Sequence, residues 1–181
     1  MAQKKTADQP EPRWQALLAL LAVGGIELAL PSWLIFAPFW VFPSVVLLLL
    51  IPTIVTHRTR RYRVNHILGI LINSVITLAL IGSVVLLVGG LALQKEKGIA
   101  LLISGAELWA SNVLTFALWY WRLDGGGPNE RREQARFGSR SFVFPQMQVE
   151  KSERAAFGIG DHWEPDFIDY LFIAMMQSAT F

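Results

Sequence analysis

Cysteine is absent from this sequence, which excludes disulfides, thiol nucleophiles and cysteine-type zinc or iron–sulfur centres, and leaves the redox compartment open. Histidine is scarce. His57, His66 and His162 stand in separate segments, with neither the H-x-x-x-H nor the H-E-x-x-H spacing of a zinc site. No G-x-S-x-G elbow and no P-loop occurs. The run from Gly158 to Gly160 meets Trp163 where a dinucleotide fingerprint needs glycine, so it reads as a turn. With no catalytic motif, the chain is not expected to be an enzyme, and no cofactor and no metal site is expected. Charge is sparse too: Asp, Glu, Lys and Arg make up 17% of 181 residues against 53% hydrophobic, and the mean hydropathy is +0.41. That is too apolar for a soluble domain of this size. The class expected is all-α, a polytopic transmembrane helical bundle with four spans plus a short C-terminal membrane-associated helix.

What the chain does have is long apolar runs. A helix needs about 20 residues to cross a roughly 30 Å hydrocarbon core. The clearest run, 99–121, is interrupted by one formal charge, Glu107, and ends in Trp119, Tyr120 and Trp121, rings that favour the headgroup level. Arg122 and Asp124 then reach water, and Gly125, Gly126, Gly127 and Pro128 cannot continue a helix. Three more spans are expected at about 14–34, 40–56 and 64–93, giving a transmembrane domain over 14–123. The first is too long for a secretory h-region, contains Glu27 and lacks an A-x-A cleavage site. Between the first two, Pro31, Ser32, Trp33, Phe36, Pro38, Phe39 and Trp40 suit a turn at the headgroups. Pro43 falls in a first helical turn, where a missing N–H costs little, whereas Pro52 is expected to kink its helix.

Basic residues set the orientation. Arg58, Arg60, Arg61 and Arg63 crowd one short loop, which the positive-inside bias keeps in the cytoplasm. These four are topology anchors beside anionic lipid rather than a nucleic-acid surface. Two spans before them, the tail 1–13, with Lys4, Lys5 and Arg13, lies on the same side and reads as disordered. The N-terminus is therefore expected in the cytoplasm of a bacterial cell, with the protein in its inner membrane. Residues 124–165 form a cytoplasmic connector carrying Arg131, Arg132, Arg136 and Arg140, with an apolar island at Phe142, Val143, Phe144 and Met147. In 166–181, Pro165 and Asp166 suit a helix start and Asp169 suits its first turn. At 1.5 Å per residue this helix spans roughly 22 Å, so it is re-entrant, interfacial or an incomplete fifth span.

The strings N-V-L-T-F-A-L-W-Y-W-R-L-D-G-G-G-P (112–128), S-F-V-F-P-Q (141–146), W-E-P-D-F-I-D-Y-L-F (163–172) and A-T-F (179–181) are distinctive. Over about its last third the chain resembles a group of uncharacterised bacterial multi-pass integral membrane proteins. The resemblance implies a helical membrane fold and brings no activity or site residue with it. It also implies that the chain runs on past Ala-Thr-Phe into a turn and another apolar helix, and hence that this sequence is C-terminally truncated.

Charges inside a span cost about 2.5–3.5 kcal/mol at its centre on insertion scales, so Glu27 and Glu107 call for an explanation. Glu27 lies 13 residues after Trp14 and Glu107 lies 14 before Trp121, placing both about 20 Å from one boundary. Thr77 comes 13 residues after Val64, with Asn73 a turn deeper; Ser104, Glu107, Ser111 and Thr115 recur at steps of three, four and four, on one helical face. A polar layer results, built on Glu27, Glu107, Thr77, Asn73 and Ser111. Such residues also serve plain packing, in which small groups such as Gly24, Gly25, Gly69 and Gly105 let helices approach. Two functions stay open: ion or proton translocation through the Glu27/Glu107 layer, and a membrane-embedded assembly or sensing component whose connector docks a cytoplasmic partner. The partners expected are the lipid bilayer and, within it, a second copy of the chain or another membrane protein. Nucleic acid is not among them.

Overall fold

The computed structural model describes residues 14–35, 38, 40–58, 62–93, 97–128, 141–150, 152–160 and 163–180. Most of these residues are helical, and no strand occurs among them. The tail 1–13, Arg60, Arg61, the basic residues Arg131, Arg132, Arg136 and Arg140, and His162 lie outside the described residues.

Four long helices come first: α1 (Trp14–Ala29), α2 (Val41–Arg58), α3 (Tyr62–Ala92) and α4 (Gly98–Leu123). α1 stops short of the expected 34 because Pro31 disfavours helical backbone before it; a 3-10 turn, Ser32–Leu34, follows. α2 remains one helix through Pro52, and the Thr53 hydroxyl donates to the Leu49 carbonyl at 2.7 Å. Two stretches, Arg63–Ala92 and Gly98–Gly126, are long and apolar enough to cross a membrane. The apolar helices Trp14–Ala29 and Val41–Thr53 are shorter, so four full crossings are not established by length and composition.

α4 is the hub of the bundle. It packs against α1, α3 and the last helix, while α2 leans on α3. Outward faces remain apolar: Leu48, Leu78 and Leu102 are 70%, 70% and 73% exposed, and Leu21, Val85, Ile99 and Ile103 join them. Large apolar side chains are exposed on every long helix, a distribution suited to a protein or lipid interface.

The turn after α1 and the aromatic end of α4 both make contacts within the protein, while Ser32, Pro38 and Trp40 stay exposed. The 3-10 turn is pinned on the far half of α3, where Ser83 Oγ donates to the Leu34 carbonyl at 2.9 Å, Leu34 is fully buried and the Trp33 ring lies over Gly90. The aromatic trio ending α4 packs within the protein. Trp121 is buried, Trp119 Nε1 donates to Thr77 Oγ1 at 2.9 Å, and Tyr120 stacks between Phe116 and Phe142. Rings with one polar atom satisfy it equally well on a neighbouring helix as in headgroups.

After α4 come a short helix α5 (Pro145–Gln148), a turn over 152–158 that ends with Gly158 at φ 68°, and α6 (Phe167–Ala179). α6 starts on a capping box. The Asp166 carboxyl accepts from Ile168 N at 3.0 Å and the Asp169 carboxyl accepts from Asp166 N at 2.8 Å, which settles two otherwise orphan donors. Its buried side, Phe167, Tyr170 and Ala174, lies against the α1 and α4 core, and Ile168, Phe172, Met175 and Met176 face outward.

Candidate functional site

The apolar interior is divided in two. A larger cluster joins Ala16, Ala19, Leu20 and Val23 of α1 to Ile72 and Ile76 of α3 and to Val113, Ala117, Leu118 and Trp121 of α4. A smaller one joins Leu30 and Leu34 to Leu80 and Leu108. As the number rises along α1 from one cluster to the other it falls along α4, so these helices run antiparallel. The seam between the clusters falls between Val23 and Leu30, between Ile76 and Leu80, and between Leu108 and Val113. In those intervals lie Glu27, Thr77 and Ser111.

Asn73 sits four residues from Thr77 on the side of the larger cluster, and Glu107 four residues before Ser111 on the side of the smaller one; each step is about one helical turn. Counting from Trp14 and Trp121 puts the two carboxyls at one level. On α4, Ser111 falls between the two clusters and Glu107 beside Leu108 of the smaller one, while on α1 Glu27 follows Ile26, which packs against that same smaller cluster.

Most of the layer is shielded, and several of its polar atoms have no protein partner. Glu27 is 5% exposed, Asn73 3%, Ser104 1% and Ser111 0%. Glu27 Oε1, Asn73 Nδ2, Ser104 Oγ, Ser111 Oγ and Glu107 Oε2 are shielded and make no hydrogen bond. Each such group costs about 1–3 kcal/mol, and buried polar groups in folded proteins are nearly all partnered. Thr77 is the satisfied member. Its hydroxyl donates to the Asn73 carbonyl at 2.7 Å and accepts from Trp119. Thr115 donates to the Ser111 carbonyl at 2.7 Å. Of the glycines, Gly69 admits the Arg122 guanidinium, whereas added methyl groups on Gly24, Gly25 and Gly105 would touch nothing within 4 Å. Close helix approach at those three is therefore not seen.

A second polar centre sits where α4 ends, and the sequence points the wrong way there. Asp124, expected to reach water, is 1% exposed. Gly125, Gly126 and Gly127 have φ of 57°, 79° and 95°, a left-handed run that turns the chain back so that Gly127 N donates to the Asp124 carbonyl at 2.9 Å. Asp124 Oδ1 accepts from Ser141 N at 2.6 Å and Phe142 N at 3.3 Å, and Oδ2 accepts from the Tyr170 hydroxyl at 2.7 Å. Phe142 and Phe144 meet the Tyr170 ring at 6.1 and 5.4 Å, and Trp163 meets Phe144 at 5.8 Å. A carboxylate with donors on both oxygens inside an aromatic cage is a clamp joining α4, the connector and α6. The signal for it lay in the strings W-R-L-D-G-G-G-P and F-I-D-Y-L, whose Asp and Tyr read separately as loop and helix residues.

Beside it, the Arg122 guanidinium lies 5.5 Å over the Trp121 ring and donates to the Asn65 carbonyl at 3.4 Å, while Asn65 Nδ2 donates to the Thr53 carbonyl at 2.7 Å and ties α3 to α2. Of the expected topology anchors, Arg63 is exposed and Arg58 ends α2. Among the described residues no three His, Asp or Glu side chains gather as metal ligands would.

The fold and layer define an all-helical bundle with two helices of membrane-crossing length. No protein-family model matches the chain, and no curated protein or solved structure matches it.

Proposed function

We propose that the chain is a four-span protein of a bacterial inner membrane, its N-terminus cytoplasmic, that passes a small cation through the layer of Glu27, Asn73, Thr77, Ser111 and Glu107. The observation that carries this is the set of shielded polar atoms without a protein partner on three helices, with Glu27 and Ser111 at the boundary between two apolar clusters and Asn73, Glu107 and Ser104 to either side of it. Ionisable groups at that depth in a membrane bundle mark ion pathways and proton relays. Exposed apolar faces on α1 and α2 support crossings by these shorter helices too. At about 1.5 Å per residue, α1 rises roughly 24 Å and α2 roughly 27 Å. Local thinning of the bilayer makes up the difference at fractions of a kcal/mol per Å.

A docking connector has less in its favour. Phe144 is buried, and Phe142 and Met147 pack on the chain's own core, so most of the apolar island that would meet a partner is covered. The test is cation flux into liposomes holding the wild type, Glu27→Gln or Glu107→Gln. Transport by the wild type that both variants lose supports the proposal, and equal flux in all three ends it.

A further inference from the structure

We infer that the cation moved through this layer is the proton and not a metal ion, an inference that rests on the transport reading above. A metal ion must exchange its hydration shell for several oxygens at once, and membrane proteins supply them from unwound backbone carbonyls and broken helix ends. Nothing is unwound here. α1 is helical through Glu27, α3 through Asn73 and Thr77, and α4 through Ser104, Glu107 and Ser111. Their carbonyls are committed to the helix ladder, and those of Asn73 and Ser111 accept threonine hydroxyls in addition.

The shielded atoms left over are the carboxyl oxygens Glu27 Oε1 and Glu107 Oε2, the hydroxyls of Ser104 and Ser111, and the amide nitrogen of Asn73. That last group is a donor, which suits a carboxylate rather than a metal ion, although the same side chain also carries an acceptor oxygen. A proton asks for one oxygen at a time. Hydroxyls pass it on, because each accepts on a lone pair and donates its own hydrogen. Four residues separate Glu107 from Ser111 on one helical face, and Ser111 shares the seam with Glu27 across the α1–α4 contact.

The test uses the full 181-residue chain in sealed liposomes under an imposed potential. A trapped pH dye reports H+, and parallel samples report uptake of radioactive Na+ and Rb+. The expected result is acid movement that survives replacement of Na+ by a large organic cation, falls ~100-fold in Glu27→Gln as for loss of a proton-transferring side chain, and persists in Glu27→Asp. Glu107→Gln, at a half-buried position, gives the same loss, and unchanged elution and helix content show that either variant is folded. Uptake of Na+ or Rb+ at a rate comparable with H+ overturns the proton assignment and leaves the pathway standing. Movement of none of the three overturns the pathway itself, and H+ movement undiminished in both glutamine variants overturns the inference.

Discussion

Replacing Tyr170 with phenylalanine deletes one oxygen from the clamp and leaves everything else in place. The ring keeps its edge contacts with Phe142 and Phe144, and the change removes the donor 2.7 Å from Asp124 Oδ2. A hydrogen bond to a charged group contributes about 1.5–3 kcal/mol, and here the loss includes the desolvation of an acceptor oxygen that is 1% exposed as a residue and finds no water in exchange. The clamp joins α6 to the end of α4, so that energy opposes the detachment of α6 rather than global unfolding. If α6 detaches as a local unit, its amides exchange from the detached state, and 1.5–3 kcal/mol becomes a ~10–100-fold acceleration of hydrogen exchange across 170–179. The far half of α3, beyond the residues that meet the end of α4, is expected to exchange at its wild-type rate. Asp124→Asn, which keeps an oxygen but loses charge, is expected to give a smaller acceleration, and the double variant one well below the product of the two, because both remove the same contact. Exchange in 170–179 unchanged by Tyr170→Phe would show that α6 is held by its apolar face alone and refute the clamp.

Backbone sign separates the glycines. Gly127→Ala, at φ 95° with its new methyl 2.8 Å from the Arg122 carbonyl, is expected to cost about 1–3 kcal/mol, read as a lower thermal midpoint in detergent. Gly24→Ala, with open space around it, is expected to raise that midpoint through helix propensity worth up to about 1 kcal/mol. Ser83→Ala leaves the Leu34 carbonyl without its donor and is expected to cost about 1–3 kcal/mol. Because the chain has no cysteine, Arg63→Cys and Lys97→Cys each carry one thiol. An impermeant reagent is expected to label the first from the cytoplasmic side alone and the second from the opposite side alone, and labelling of both from one side would refute the four-span topology.

Helix positions were legible because apolar length and proline speak locally: α3 and α4 begin and end within two residues of the expected 64–93 and 99–121. Glu27 and Glu107 were legible as anomalies because a charge in an apolar run is conspicuous whatever surrounds it. Asp124 was illegible for the converse reason. It stands beside Arg122 and three glycines, where a carboxylate looks ordinary, and its burial depends on Ser141, Phe142 and Tyr170, 17, 18 and 46 residues away. The same asymmetry misplaced Trp119: amphipathic rings at a helix end suit lipid headgroups, and only the arrival of Thr77 from α3 decides that the indole N–H is satisfied inside.

Asp124 and the two glutamates thus differ in kind. Asp124 receives three donors, which lowers the energy of one arrangement and fixes it. Glu27 and Glu107 each keep a shielded oxygen with no donor at all, which leaves their arrangement free to change with whatever reaches them. A protein that needed these glutamates only for cohesion would gain about 1–3 kcal/mol by satisfying each oxygen, as it has done at Asp124. The deficit occurs twice, on helices that pack against each other, and it is the observation on which the proposed pathway rests.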